Sequence, residues 1–219
     1  MGTVAIHGGT FDSKGHLYRD ANGIFVPSLT QILKLQGLSD YSGIDPEVLE
    51  NAARRGTEVH ELAAAYNTYG EVDPTWITEE TRPYFEAYLA FMRDTKFKPD
   101  PAWSERAMIV SVHNMPVGLT PDCFGRLGKW DAVVEIKAAS AVQPSWSVQT
   151  ALQEMAIFRS NHVGRVQRFA LQLFKNGNYK LHPHTNHQED EAAGIAALRL
   201  VHWRINHGQK VWLKLEAAA

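Results

Sequence analysis

The spacing of apolar residues along the chain changes near residue 100. Between residues 45 and 95, apolar side chains recur every three or four positions, as in the stripe from Val59 to Tyr66, and this is the spacing of one helix face. From residue 102 onward the apolar runs are short and are separated by Gly and Asn, which is typical of strands. We expect three successive strands, over 102–112, 117–124 and 130–138.

The segments on either side extend this alternation of helices and strands. Residues 146–160 and 188–206 have helical spacing, and an Asn176-Gly177 turn separates two short strand-like runs between them. The first 26 residues carry Gly-Gly and Asn-Gly pairs between short apolar pieces, which predicts a loose hairpin or arm. The order of helices, strands, helix and strands predicts an α/β sandwich with a mixed sheet.

Composition adds only weak limits to this picture. The chain has 219 residues, 44% hydrophobic and 21% charged, as is ordinary for a globular protein. It has no apolar run of membrane-spanning length and no visible secretory signal, so we expect a cytoplasmic protein without a membrane partner. The net charge of −2 neither indicates nor excludes a nucleic-acid partner, because phosphate contacts need only a local basic patch.

The strongest chemical signal is a pair of carboxylates with a lysine. Asp122 lies at the expected end of one strand, and Glu135 and Lys137 lie on one face of the next. Mg²⁺ prefers carboxylate, water and phosphate oxygens, and the Ile136 carbonyl is a further candidate ligand. Lys137 would then orient or deprotonate a water or neutralise charge, with its pKa lowered by a nearby cation and by burial. The alternative is an ordinary solvated strand end.

Several motifs of this chain resemble the PD-(D/E)xK nucleases of the RecB-like and phage-exonuclease branch, and the chain is similar to the mitochondrial genome maintenance exonuclease. Pro121-Asp122 with Glu135-Ile136-Lys137 resembles the signature itself. Gly56 to His60 resembles the GxxxH motif of that branch, and the segment 27–33 resembles its PSVTxIL motif. Ser104-Glu105-Arg106 lies where the family often has a glutamate, and Gln149 to Gln153 resembles the QxxxY motif. The resemblance covers residues 27–175.

The resemblance implies a restriction-endonuclease-like fold, with a central mixed β-sheet flanked by helices, an N-terminal arm and a helical subregion. It implies metal ligation by Asp122, Glu135 and the Ile136 carbonyl, and a catalytic role for Lys137. His60 would bind the metal or the scissile phosphate. Glu105 is expected to be a supporting acid rather than a primary ligand. Mg²⁺ or Mn²⁺ is the implied cofactor, and the chain's single cysteine excludes the four-cysteine iron–sulfur cluster of some relatives.

Two registers of the glutamine motif remain open. Gln149 would contact DNA or position the site, and Gln153 would then replace the family's tyrosine. Gln153 can hydrogen-bond a phosphate but cannot stack on a base. In the other register Gln153 is the motif glutamine and Ile157 stands in the tyrosine position.

Further candidate DNA contacts are five residues outside the motif core. Each is also compatible with an ordinary surface or packing role. Basic side chains would hold phosphates, and the tryptophan would stack on an unpaired base. They are Arg54, Arg55, Arg126, Lys129 and Trp146.

The resulting domain prediction has three parts. Residues 1–26 form the arm, 27–213 form a single nuclease domain, and 214–219 are a tail derived from cloning. Within the nuclease domain three segments are distinguished. They are a mainly helical 27–100, a catalytic core at 101–183 and a C-terminal helix at 187–207.

The leading functional hypothesis is a metal-dependent DNA exonuclease of recombination, repair or DNA processing, derived from a phage and located in the bacterial host cytoplasm. Its partner would be DNA, as a single strand or a duplex end, together with a phage recombination or single-strand-annealing protein. One alternative is an endonuclease of the same fold, of restriction or structure-specific type. Another is a non-catalytic DNA-binding or assembly module.

Overall fold

A computed structural model describes residues 3–13, 15–39, 41, 43–158 and 166–209. The tail predicted at 214–219 lies outside these residues. Within them, helices and strands alternate in the predicted general order. The helices are α1 Leu29–Leu35, α2 Pro46–Tyr69, α3 Arg82–Thr95, α4 Ser145–Phe158 and α5 His187–Asn206. No described helix has the length and apolar content needed to cross a bilayer.

Strands form three sheets among the described residues. The N-terminal strands are β1 Thr3–Ile6, β2 Gly9–Asp12, β3 Leu17–Asp20 and β4 Phe25–Val26. The later strands are β5 Lys98–Pro99, β6 Met108–Val112, β7 Met115–Leu119, β8 Cys123–Leu127, β9 Trp130–Lys137, β10 Gln167–Leu173 and β11 Tyr179–Pro183. The central sheet has the order β11-β10-β9-β8-β5, and β9 and β10 run parallel while the other neighbours run antiparallel.

Strand β9 shows how the central sheet is covered on both faces. Successive side chains of a strand point to opposite faces. Val134 and Ile136 pack with Tyr88 in a core shared with α2 and α3, whereas Val133 packs with Leu152 in a core shared with α1, α4 and α5. The predicted α/β class, a mixed sheet flanked by helices, is confirmed.

The strand boundaries predicted after residue 101 were partly wrong. Residues 101–103 form a short 3₁₀ helix, and the first strand begins only at Met108. The segment predicted as one strand over 117–124 contains the end of β7, a turn and the start of β8. Strands β6 and β7 form a two-stranded sheet, and single bridges connect it to His7 and Ser28. Asp122 therefore precedes β8 instead of ending a strand, because residues 120–122 form a short bend between β7 and β8.

Helix α2 continues through Gly56. The helix runs without interruption from its Asp45 cap to Gly70, which ends it in a left-handed conformation. Glycine costs about 1 kcal/mol relative to alanine inside a helix. Burial of the stripe at Val59 and Leu62 offsets a cost of this size.

The N-terminal segment is an ordered four-stranded antiparallel sheet and not the loose hairpin expected from its turn residues. It joins the rest of the chain through backbone hydrogen bonds from Ile109 to His7 and from Gly118 to Pro27. The fully buried Tyr18 ring lies directly over Gly118, where any Cβ would meet the ring at 2.3 Å. Its hydroxyl is 2.7 Å from the hydroxyl of Thr120. The sheet is thus fixed against the turn that carries Asp122.

Candidate active site

Strand register brings the two predicted carboxylates together. Strand β8 pairs antiparallel with β9 so that Cys123 lies opposite Val134, which places Asp122 beside Glu135. The Ile136 amide donates a 2.6 Å hydrogen bond to Oδ2 of Asp122. Both carboxylates are buried, at 6% and 3% exposure. Two acids held this close and out of water create a strongly negative centre.

Glu135 is surrounded by hydrogen-bond donors. Lys137 Nζ lies 2.8 Å from its Oε1, and the Gln149 amide donates to the same oxygen. The Gln153 amide donates to Oε2 at 2.7 Å. The spacing of four residues places both glutamines on one face of α4. Both glutamines of the two open registers therefore contact Glu135, and the Gln153 Oε1 atom is buried without a hydrogen-bond partner.

His60 reaches the same centre from α2. Its Nδ1 lies 3.1 Å from Oε1 of Glu105 and 3.2 Å from Oδ1 of Asp122, and its Nε2 lies 3.1 Å from the Ile136 carbonyl oxygen. A neutral ring that donates through Nε2 to this carbonyl directs the Nδ1 lone pair at the two carboxylates. That is the orientation of a metal-binding histidine whose other nitrogen is held by a backbone acceptor.

Glu105 lies closer to the candidate metal ligands than the sequence predicted. It was expected to support the ligands, yet its carboxylate, His60 and Asp122 offer ligand atoms that all lie within 4.8 Å of one another. Its backbone has a φ of +49°, in the left-handed region that non-glycine residues seldom adopt. Its amide donates to the Pro121 carbonyl at 2.9 Å. The only sequence signal was its position before the first core strand.

The pKa values of the three central groups are set by burial and by each other. Burial raises the pKa of Glu135, the Asp122 charge adds to this, and Lys137 opposes it. Burial alone would lower the pKa of Lys137, but the charges of Glu135 and Asp122 outweigh it, so this pKa is raised. The predicted lowering does not occur in the protein alone, because the neighbouring carboxylates dominate. Burial likewise lowers the pKa of His60, but Asp122 and Glu105 hold it well above 6.5.

These groups fit a hard or borderline divalent cation. Carboxylate oxygens from Asp122, Glu105 and Glu135 suit Mg²⁺ and Mn²⁺, and an imidazole nitrogen adds affinity for the transition metal. The Ile136 carbonyl, predicted as a ligand, already contacts His60 and has a second lone pair. Burial of so much negative charge beside one lysine is costly without further cations.

The raised pKa of His60 predicts a pH effect in protein kept free of divalent cations. Protonation favours the folded state, so this contribution is complete below the unfolded pKa of about 6.5 and is lost as pH rises through the folded pKa. We expect the difference in unfolding free energy between wild type and His60→Gln to shrink as pH rises above about 6.5. Urea denaturation in chelator measures it, with exposed His7→Gln as control. A difference independent of pH would contradict the expectation.

Two cavities meet at Lys137. One, of ≈ 480 Å³, is lined by His60, Glu105, Asp122 and Glu135. The other, of ≈ 410 Å³, is lined by Lys34 and other residues from α1, α2 and α4. Lining residues shared by the two are Thr30, Lys137 and Gln149. The charged residues around the first cavity are mainly acidic, whereas those around the second are Lys34, Arg55 and Lys137.

The predicted arginines of α2 differ in their surroundings. Arg55 lines the second cavity and contacts the Tyr84 ring. Its Nη1 lies 3.4 Å from Glu80, and its buried Nε has no hydrogen-bond partner among the described residues. Arg54 is half-exposed and paired with Glu58 at 2.8 Å and with Glu80 at 2.7 Å. Arg55 is therefore better placed to meet a ligand in the cavity.

Arg126 and Lys129 lie at the opposite end of the β8–β9 hairpin. Strand β9 separates this end from Lys137 by about 20 Å at ~3.3 Å per residue. Arg126 donates to the Lys129 carbonyl, and the Lys129 ammonium lies over the Trp130 ring. Neither can touch a phosphate beside Lys137, because the hairpin turn and Lys137 lie at opposite ends of β9.

Trp146 does not fit the stacking role expected from the sequence. The side chain lines the second cavity but is only 4% exposed, with its ring edge-on to His182. A ring buried to this degree has no free face for a base. The apolar environment at the start of α4, which the sequence pattern did not reveal, explains the difference.

A second group of potential ligands lies between α4 and α5. Glu154, His187 and Glu191 bring ligand atoms within 4.8 Å of one another. The fully buried Arg168 lies between α4 and α5, with Nε 3.3 Å from Glu154 and Nη2 2.9 Å from Asp190. His187 also lies 3.5 Å from Glu154, so Glu154 and His187 belong to an internal ion-pair network with Arg168.

Comparison with known proteins finds distant similarity among solved structures. No family model matches the chain, and no curated protein matches it. Among solved structures, the chain is similar to the crystal structure of a "putative exonuclease" from Eubacterium rectale, at 10% identity and a TM-score of 0.48, over 84% of this chain and 82% of that chain.

Proposed function

We propose that the protein is a Mg²⁺- or Mn²⁺-dependent deoxyribonuclease that removes nucleotides from DNA ends. The observation that carries the proposal is the convergence of Asp122, Glu135, His60 and Lys137 at one wall of an open cavity. Buried acids that repel one another are stabilised by a divalent cation, and a lysine at the same point suits a reaction that develops negative charge.

Metal binding falls to the acidic side of the site. Asp122, Glu135 and His60 would hold the cation, with Glu105 as a further ligand and the Ile136 carbonyl close by. A bound divalent cation supplies Lewis-acid chemistry, which lowers the pKa of a coordinated water and neutralises phosphate charge. The Ile136 amide and the two glutamine amides keep the carboxylates in place for it.

Lys137 acts on the phosphate side. Its ammonium is held by Glu135 and by the Gln149 carbonyl oxygen at 3.0 Å. The raised pKa of Lys137 keeps the group charged, which favours stabilisation of developing negative charge over abstraction of a proton. Gln149 then has a positioning role, because it contacts both Lys137 and Glu135.

The second cavity supplies a route for the DNA backbone. Lys34 and Arg55 line it, and it joins the catalytic cavity at Lys137. A phosphodiester chain that crosses the junction would place one phosphate at the acids, through the cation, and its neighbours near the basic side chains. Placement in recombination, repair or phage DNA processing remains part of the proposal.

A nuclease assay tests the function. Purified protein is incubated with end-labelled linear single- and double-stranded DNA and with closed circles of both, in Mg²⁺, in Mn²⁺ and in chelator. We expect nucleotide release from linear DNA in either metal and none in chelator. Cleavage of closed circles would replace the exonuclease with an endonuclease. Absence of release from every DNA in both metals would favour a non-catalytic DNA-binding module.

A further inference from the structure

The catalytic cavity has an aromatic end that the proposed chemistry does not use. Phe11 from β2 and His16 from the β2–β3 connection line it, with Tyr18 behind them. The Phe11 and His16 rings are perpendicular at 5.3 Å, and Phe11 lies 4.7 Å from Tyr18. His16 is exposed and Phe11 is partly buried, whereas Tyr18 is fully buried. We call Phe11, His16 and Tyr18 the aromatic wall.

The aromatic wall is rigidly related to the catalytic acids. Tyr18 lies over Gly118 and bonds Thr120, two residues before Asp122. Because Tyr18 packs on Gly118 and also contacts Phe11, these contacts hold the ring cluster in place relative to the carboxylates. Preorganised rings lose little conformational freedom when a ligand stacks on them.

The aromatic end and the opposite end of the combined cavity differ in the charge of their lining residues. Among the described residues that line the end of the cavity around Phe11 and His16, none is a lysine or an arginine. The basic residues that line the junction and the second cavity are Lys34, Arg55 and Lys137. Although part of the His16 ring is exposed, partial desolvation by the surrounding residues lowers its pKa, so the ring is mainly neutral near pH 7. A neutral aromatic surface suits the face of a base, while the basic side chains suit phosphates.

We propose that the aromatic wall stacks an unpaired base next to the scissile phosphate, so that the site takes single-stranded DNA ends. The inference rests on the proposed nuclease function and specifies its substrate class. A cavity of ≈ 480 Å³ is in the range of small-ligand sites, about 300–1,000 Å³, and has room for one nucleotide. We expect a duplex end to unpair before its strand stacks on the aromatic wall.

The test pairs a change in the protein with a change in the DNA. Fluorescence anisotropy measures binding of a single-stranded oligonucleotide in Ca²⁺ to wild type, His16→Ala and Phe11→Leu, and a series of oligonucleotides each lacks one base near an end. We expect wild type to lose affinity about 5- to 150-fold when one particular base is missing, the range for stacking on one ring. The ring variants lose a similar amount with intact DNA and little more when that base is absent.

Three results would contradict the proposal that the aromatic wall stacks a base. One is wild-type affinity that ignores every missing base. Another is additive losses from the ring variants and the missing base, since independent effects show no contact. The third is tighter binding of blunt duplex than of single strand. Trp130→Ala is the matched control, because this exposed ring lies outside both cavities and should bind as wild type.

The binding measurement is separate from the nuclease assay. If the ring variants and the missing bases do not change the rate of DNA cleavage, the stacking proposal is contradicted but the proposed nuclease function is not. Base-dependent binding without nucleotide release in Mg²⁺ or Mn²⁺ contradicts the nuclease but retains the stacking site.

Discussion

Glu135→Gln is expected to reduce DNA hydrolysis by about 10³-fold or more, since a metal-held charge contributes several kcal/mol to the transition state. Glutamine keeps the size of the side chain but removes the charge that Lys137, Gln149 and Gln153 surround. One of its polar atoms becomes a donor facing other donors, which also disturbs Lys137. Initial rates of nucleotide release from linear DNA, at saturating Mn²⁺, measure the effect.

Glu61→Gln provides the matched control for this variant. Glu61 is an exposed carboxylate that lines the same cavity, and it belongs to the α2 turn that carries His60. Loss of its charge should leave the rate within a few-fold of wild type. Equal losses in both variants would mean that the general negative potential of the cavity matters instead of ligation by Glu135. Circular dichroism and thermal unfolding establish that both variants are folded.

The proximity of Asp122, Glu135 and Lys137 could be predicted from sequence because local rules place them. Strand alternation puts Glu135 and Lys137 on one face, and an antiparallel neighbour brings Asp122 beside them. The apolar stripe that ends near Tyr66 identified α2 and its buried face. His60 could be assigned to the site only through the family resemblance, which rests on its spacing from Gly56. Periodicity alone identified the helix but not its direction toward Asp122.

Other parts of the site depend on contacts between distant segments. The N-terminal sheet is ordered by Tyr18 on Gly118, a contact separated by 100 positions in the chain, and short strands rich in turn residues give no local sign of it. Glu105 joins His60 because its backbone adopts a positive φ and bonds Pro121. No propensity rule predicts such a conformation for glutamate, since neighbouring structure must stabilise it.

The lysine raises a different question, because it is both a structural partner and a candidate catalytic group. Lys137→Met removes the ammonium and keeps the apolar length of the side chain. We expect hydrolysis to fall by about 10²- to 10⁴-fold, the range for loss of a positioned acid–base or charge-stabilising group. Affinity for single-stranded DNA in Ca²⁺ should change much less, since Lys34 and Arg55 remain in the second cavity.

The pH dependence of the unfolding free energy distinguishes the pairing of Lys137 with Glu135 from a general loss of positive charge. Lys137 opposes the rise in the pKa of Glu135, so the variant should raise that pKa further. A carboxyl group with a raised folded pKa destabilises the protein as pH rises from its unfolded value of about 4.5 toward the folded one. In chelator, the loss of stability above that pH should therefore extend to higher pH in Lys137→Met than in wild type.

Urea denaturation across this pH range, with Lys175→Met as control, checks both parts together. Lys175 is exposed in the turn between β10 and β11 and should leave the rate and the pH profile unchanged. An unchanged pH profile in Lys137→Met would contradict the close pairing with Glu135, whatever the activity. A shifted profile with a wild-type rate of hydrolysis would show that the ammonium stabilises the buried carboxylate in the folded protein and takes no part in the reaction.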